Sequence, residues 1–385
     1  MSNPRLAPGG HVHGRTRRSL MVIAALLTVA LVAGACSSTK KDKSSTDTGS
    51  SSSTTAAAGA GSFDAATFKD ASGTLKGSGS TFQQPFDNGA IEALKQVVPG
   101  LTITYGGGGS GQGKTDLQNG TVDFAGTDSL VKDEDKPKYK GEFLYFPTVA
   151  APITVSYNLP VKGLKLDGPT IAEMYAGKIT TWNDPAIAAL NSGTTLPSDP
   201  VTVCARAEAS GTTSNFTKFL KSAAPTDFTA DPTDQPTVWT FGSIQKSQGN
   251  GGVAACVKGK TGAVGYVDFS DAQKQGLTFA DIKNKNGEFV APSLEGATKA
   301  VQASEVGADL TYNPIDVAGT GVYPLTSPTW VLVYAKQADP AKALALKAWL
   351  TFLETDAQQL ASSYNYSSLP TDLARKALAQ VEKVQ

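Results

Sequence analysis

Histidine is almost missing from this chain: its 385 residues contain two, His11 and His13. Both precede the apolar run at 20–33, in a segment that reads as removable, so the mature chain is expected to carry no imidazole. That excludes His-dependent triads and His–metal catalysis, and leaves a hydrolytic enzyme only unusual Ser–Lys or carboxylate arrangements. Cysteine is scarce too, with Cys36, Cys204 and Cys256 the three present; without other soft ligands they make a poor zinc site, and no metal or cofactor is expected. Net charge is missing as well, 34 Lys and Arg balancing 34 Asp and Glu. Such a chain has no general attraction for nucleic acid or an anionic membrane, so any anion site must come from local geometry.

What is present at the N-terminus is an address. Arg15, Arg17 and Arg18 precede the run 20–33, which is too short to span a bilayer stably and has the shape of a signal-peptide core, giving a signal peptide over 1–35. The run ends in Ala33-Gly34-Ala35-Cys36, small residues before a cysteine as in a bacterial lipobox, so Cys36 is expected to become the acylated first residue. The adjacent arginines also suit a twin-arginine signal, and the export route stays open. Residues 36–62 are almost entirely Ser, Thr, Ala, Gly, Lys and Asp without apolar periodicity, a tether whose reach as a flexible coil is about 25–30 Å. The expected location is extracytoplasmic, anchored to the cell membrane by a lipid on Cys36. In that oxidising setting Cys204 and Cys256 either pair or serve as two small buried hydrophobes.

The remainder is long enough for two cores. Short apolar runs at 101–105, 122–125, 153–157, 201–204, 263–267 and 330–334 read as strands, and stretches at 86–96, 171–176, 215–221 and 341–361 as helices. The class is α/β, with ligands expected beyond the carboxyl ends of the strands. Two Pro-containing extended segments, Phe146-Pro147-Thr148-Val149-Ala150 and Val322-Tyr323-Pro324-Leu325-Thr326, look like paired crossings between lobes. On that reading 63–150 plus 319–385 form one lobe, 151–318 the other, and a small ligand sits in the cleft between them.

Three segments share one design, an extended stretch, then small and hydroxylated residues, then a helix: Gly77-Ser78-Gly79-Ser80-Thr81-Phe82, Gly106 through Gly113, and Arg206-Ala207-Glu208-Ala209-Ser210-Gly211-Thr212-Thr213. Free N–H groups at a helix start form a partial positive end and neighbouring hydroxyls add donors, so each can grip an oxyanion. Taken singly, each also suits ordinary helix capping. Together with Arg206 they suggest a site surrounding a small tetrahedral anion. Gly108-Gly109-Ser110-Gly111-Gln112-Gly113-Lys114-Thr115 matches the P-loop pattern, but an exported chain has little access to ATP, and the other two segments would have no role in that chemistry.

In order along the chain, Gly77 through Phe82, Tyr105 through Gly113, Val122 through Asp128, Phe146-Pro147-Thr148, Gly177 through Trp182, Ser210-Gly211-Thr212, Gly262 through Val267 and Ser367-Ser368-Leu369-Pro370 resemble the phosphate-binding proteins of bacterial phosphate-specific ATP-binding-cassette importers. The resemblance implies a two-lobed, type II periplasmic-binding-protein-like fold and a monomer that binds inorganic phosphate and delivers it to membrane permease subunits. It further implies Ser80, Thr81, Phe82, Ser110, Ser210, Gly211 and Thr212 as hydroxyl and backbone donors, Arg206 as the charge, and Asp128 as an acceptor for a phosphate proton that sulfate lacks. Glu208 stands where the family usually has Asp, and is expected to orient Arg206. The rival readings are a cell-surface phosphatase with a Ser or Asp nucleophile, a receptor for another oxyanion, and an adhesive lipoprotein.

Overall fold

The computed structural model describes residues 61–385; the signal segment, Cys36 and nearly all of the tether lie outside them. The chain opens with β1 (Gly73–Gly79), α1 (Gln84–Val97), β2 (Leu101–Gly106), α2 (Ser110–Asn119), β3 (Phe124–Thr127) and β4 (Phe143–Tyr157). It continues through β5 (Lys165–Leu166), α3 (Gly168–Tyr175), α4 (Pro185–Leu190), β6 (Thr202–Arg206), α5 (Gly211–Ala223), β7 (Gln245–Ser247), α6 (Gly249–Gly259), β8 (Ala263–Asp268) and α7 (Phe269–Gln275). After β9 (Thr278–Phe279), β10 (Asp281–Lys283), β11 (Phe289–Val290) and α8 (Leu294–Gln302) it returns through β12 (Thr326–Tyr334), α9 (Pro340–Glu354) and α10 (Thr371–Gln380).

The strands line up in the order β2-β1-β3-β12-β4-β8-β6-β7, with β9 also on β4. On one wing β1 runs parallel to β2 and β3; on the other β6 runs parallel to β8 and β7. The two wings share β4, whose first part pairs antiparallel with β12 and whose end, from Ile153, pairs antiparallel with β8. Every residue of β4 after Phe143 is buried, which matches its nearly continuous apolar sequence.

The two Pro-containing segments lie along this shared region. Residues 146–150 are mid-strand in β4, and β12 begins at Thr326 beside Pro152. Pro328 cannot donate to the ladder, and the register shifts between Pro328 and Trp330. The Thr329 hydroxyl fills the gap, donating to Val149 O at 2.9 Å and lying 2.6 Å from the Thr148 hydroxyl.

The predicted strands are present, the second displaced by two residues to Phe124–Thr127. The helix predicted over 341–361 is divided: α9 ends at Glu354, Thr355 leaves helical geometry with φ −118° and ψ −102°, and a 3-10 turn covers Asp356–Tyr364. The physical reason lies in side chains that capture backbone groups at the junction. Gln358 Nε2 donates to Leu353 O and Thr148 O, and Asp356 accepts from Phe63 N. The Gly-rich α6 was not anticipated, since glycine argues against a helix on propensity; packing of Val253, Ala254 and Val257 against Cys204 and Ala263 overrides it.

Candidate functional site

Two parallel pairs of strands, β1 with β3 and β6 with β8, run in opposite directions and bring their carboxyl ends to one place. Ser80 follows β1, Asp128 follows β3, Arg206 closes β6 and Asp268 closes β8. The N-termini of α1, α2, α5 and α6 meet there. The glycines ahead of α2 are required by the backbone, Gly108 having φ 130° and Gly109 φ 93°, a region that side chains disfavour.

Asp128 occupies the centre. It is buried, accepts from the Ser80 hydroxyl at 2.5 Å through Oδ1, and faces the Ser110 hydroxyl at 3.5 Å through Oδ2. Ser110 Oγ in turn accepts from Asp128 N at 3.2 Å, and Ser80 Oγ accepts from Phe82 N at 3.0 Å. Burial pushes the Asp128 carboxyl up to about 7, against the opposing pull of the Ser80 hydroxyl, the Arg206 guanidinium, Ser110 and Lys114. Behind it Asp87, fully enclosed and holding Gln83 Nε2 at 2.8 Å, is also pushed up to about 7, first by burial.

Arg206 faces this cluster from the other wing and is itself buried. Its Nε donates to Glu208 Oε1 at 2.7 Å, its second terminal nitrogen makes a shorter contact to the same oxygen, and Nη1 donates to the Thr212 hydroxyl at 3.2 Å. Glu208 Oε1 also accepts from Gly249 N at 3.1 Å. Glu208 thus contacts the guanidinium through a single carboxylate oxygen. Ser210 caps α5, its Oγ accepting from Thr213 N at 3.3 Å.

The wings meet tightly at Gly211, where an added Cβ would lie 2.5 Å from Ser110 Oγ and 2.8 Å from Asp128 Oδ2. Around this point Gly111 N donates to Ala209 O at 3.1 Å, Asn215 Nδ2 to Asp128 O at 2.8 Å, and Lys114 Nζ lies 3.1 Å from Asp234 Oδ2. Lys114 is thus engaged across the wings, and Thr115 donates to Gly111 O. Cys204 and Cys256 are joined by a disulfide, tying β6, two residues before Arg206, to α6.

Ser80, Thr81, Phe82, Ser110, Asp128, Arg206, Ser210, Gly211 and Thr212, with Glu208 behind Arg206, form one connected cluster. Asn250 belongs to it and was overlooked. It is buried at the start of α6, donating from Nδ2 to the hydroxyls of Thr81 at 3.2 Å and Thr212 at 3.3 Å. The one signal in the sequence was a fourth Gly-rich stretch, Gln248-Gly249-Asn250-Gly251-Gly252, which opens α6. Among the described residues no group of three or more His, Cys, Asp or Glu could hold a metal ion.

Residues 50–357 match the family described as a PBP superfamily domain. The chain is 32% identical over 343 residues to the phosphate-binding protein PstS3 of Mycobacterium bovis, covering 85% of this chain and 91% of the relative. It is 31% identical over 335 residues to the phosphate-binding protein PstS of Methanocaldococcus jannaschii, covering 81% and 86%. Among solved structures it resembles a high affinity periplasmic phosphate-binding protein, PfluDING, bound with phosphate, at TM-score 0.67 and 20% identity over 80% of this chain and 93% of that one. A putative phosphate ABC transporter substrate-binding protein with bound phosphate from Clostridium perfringens gives TM-score 0.57 at 18% identity, over 77% and 100%. These two likenesses establish the periplasmic-binding-protein fold.

Proposed function

Starting from the fact that this chain belongs to the PstS family of phosphate-binding proteins, we propose that it captures inorganic phosphate outside the cytoplasmic membrane and hands it to an ABC-type importer. The observation that carries this reading is Asp128: a carboxylate buried among hydroxyls and helix N-termini, with one buried guanidinium opposite. A site made only of donors would take any tetrahedral anion. One acceptor at its centre favours an anion that still carries a proton, because sulfate would leave the carboxylate unpaired against another negative charge.

In this reading the hydroxyls of Thr81, Ser110, Ser210 and Thr212 and the Gly211 and Thr212 N–H groups contact phosphate oxygens, and Phe82 N turns from Ser80 Oγ, which it holds at 3.0 Å, to the anion on binding. Ser80 holds Asp128, and Arg206 neutralises charge while Glu208 holds the guanidinium. The lobes, 63–150 plus 319–385 and 151–318, each hold half the donors, so phosphate favours closure by touching both. Binding needs no covalent step. The Ser80 hydroxyl donates to a carboxylate and no histidine follows His13, which argues against a phosphatase. A lipid on Cys36 and the tether would keep a monomeric receptor beside the permease.

Calorimetric titration of the anion-stripped chain after Cys36 tests this. Tight phosphate binding with negligible sulfate heat is expected. An equal response to both anions, or no phosphate binding, overturns the assignment.

A further inference from the structure

Asn250 reaches both wings through a single amide. Its Oδ1 accepts from Asp268 N at 3.3 Å, which fixes the amide orientation, because a backbone N–H can face only the oxygen. The NH2 is thereby aimed at Thr81 Oγ1, 3.2 Å away, and Thr212 Oγ1, 3.3 Å away. Each threonine oxygen receives a second N–H. Asn250 N donates to Thr81 at 3.3 Å, and Arg206 Nη1 donates to Thr212 at 3.2 Å.

A hydroxyl has one proton and two acceptor lone pairs. With both lone pairs occupied, the remaining capacity of each threonine is its O–H, aimed away from the amide. Building on the phosphate reading, we propose that Asn250 is a positioning residue that turns Thr81 and Thr212 into obligate hydrogen-bond donors, so that the two corners of the anion they touch must accept, which unprotonated oxygens do best. Asp128 supplies the complement, the one corner at which a proton is required. The site then reads the placement of the proton on the ligand as well as its shape. A freely rotating threonine could donate or accept and would make no such distinction.

The test is a mutant cycle read by phosphate calorimetry near neutral pH. Asn250→Ala is expected to weaken phosphate about 10- to 100-fold, the scale of a disturbed charge-assisted hydrogen bond or two. In a Thr81→Val, Thr212→Val background the same substitution is expected to cost less than about threefold, since the hydroxyls it organises are gone. An equal cost in both backgrounds, or an unchanged affinity for Asn250→Ala, overturns the proposal. Should Asn250→Ala fail to fold, Asn250→Ser takes its place with the same criteria, being too short to reach both hydroxyls. Failure of the unmodified chain to bind phosphate identifies the phosphate reading as the fault, and the proposal falls with it. Loss confined to the variants tests Asn250 alone.

Discussion

The two wings that meet at the site use the same device, a parallel strand running into a helix N-terminus, and equip it with opposite charge. The β1–β3 wing brings Asp128 and hydroxyls; the β6–β8 wing brings Arg206, held by Glu208 and Thr212. Backbone donors give general affinity for an oxyanion on both sides. On the proposed phosphate reading, what separates the wings is that one supplies compensating charge and the other asks the ligand for a proton. A disulfide braces the cationic wing just behind Arg206.

The largest expected effect breaks the cationic wing. Arg206→Gln removes the charge and leaves the mostly buried Glu208 carboxylate facing the anion, so phosphate affinity is expected to fall about 10²- to 10⁴-fold, measured by calorimetry. An intermediate effect breaks the other wing. Asp128→Asn keeps the shape but adds an NH2 in place of an acceptor, so preference for phosphate over sulfate is expected to fall about 100-fold, read from paired titrations.

The same variant carries a pH signature. Asp128 has a folded value raised from 3.8 to about 7, so the ligand-free protein gains stability from it below about pH 4 and loses that gain as pH rises through 7. Asp87 slopes the same way, and Asp128→Asn is expected to remove one share of the decline in a pH series of melting temperatures. The smallest effect touches neither charge directly. Lys114→Met breaks the contact with Asp234 that joins the wings and is expected to weaken phosphate about three- to tenfold, through faster release in stopped-flow measurements.

The local devices were legible before the fold. Gly-rich turns, hydroxylated helix starts and Arg206 are short-range patterns, each governed by the few residues around it. The alternation of strands and helices gave the class; the Pro-containing pair at 146–150 and 322–326, read as crossings between lobes, lies along and beside the shared strands β4 and β12. Asn250 escaped because its partners lie 169 and 38 residues away, and a glycine-rich surround argued against a helix there. The division of the helix predicted over 341–361 escaped for a similar reason: Gln358 is bound to Thr148 O, a group 210 residues earlier.

By itself the sequence determined the chemical vocabulary: donors from backbone and hydroxyls, Arg206 in the third segment, Asp128 at the end of the run 122–128, and no histidine after residue 13. Periodicity and capping act over a few residues, so those features need no tertiary structure to be read. Only the tertiary structure decided that Gly211 packs onto Ser110 and Asp128, that Gly249 N joins Arg206 on the same Glu208 oxygen, and that one amide bonds both Thr81 and Thr212. Those relations depend on the register of β4 with β12 and β8, which is set by burial along the whole shared strand and by no local signal.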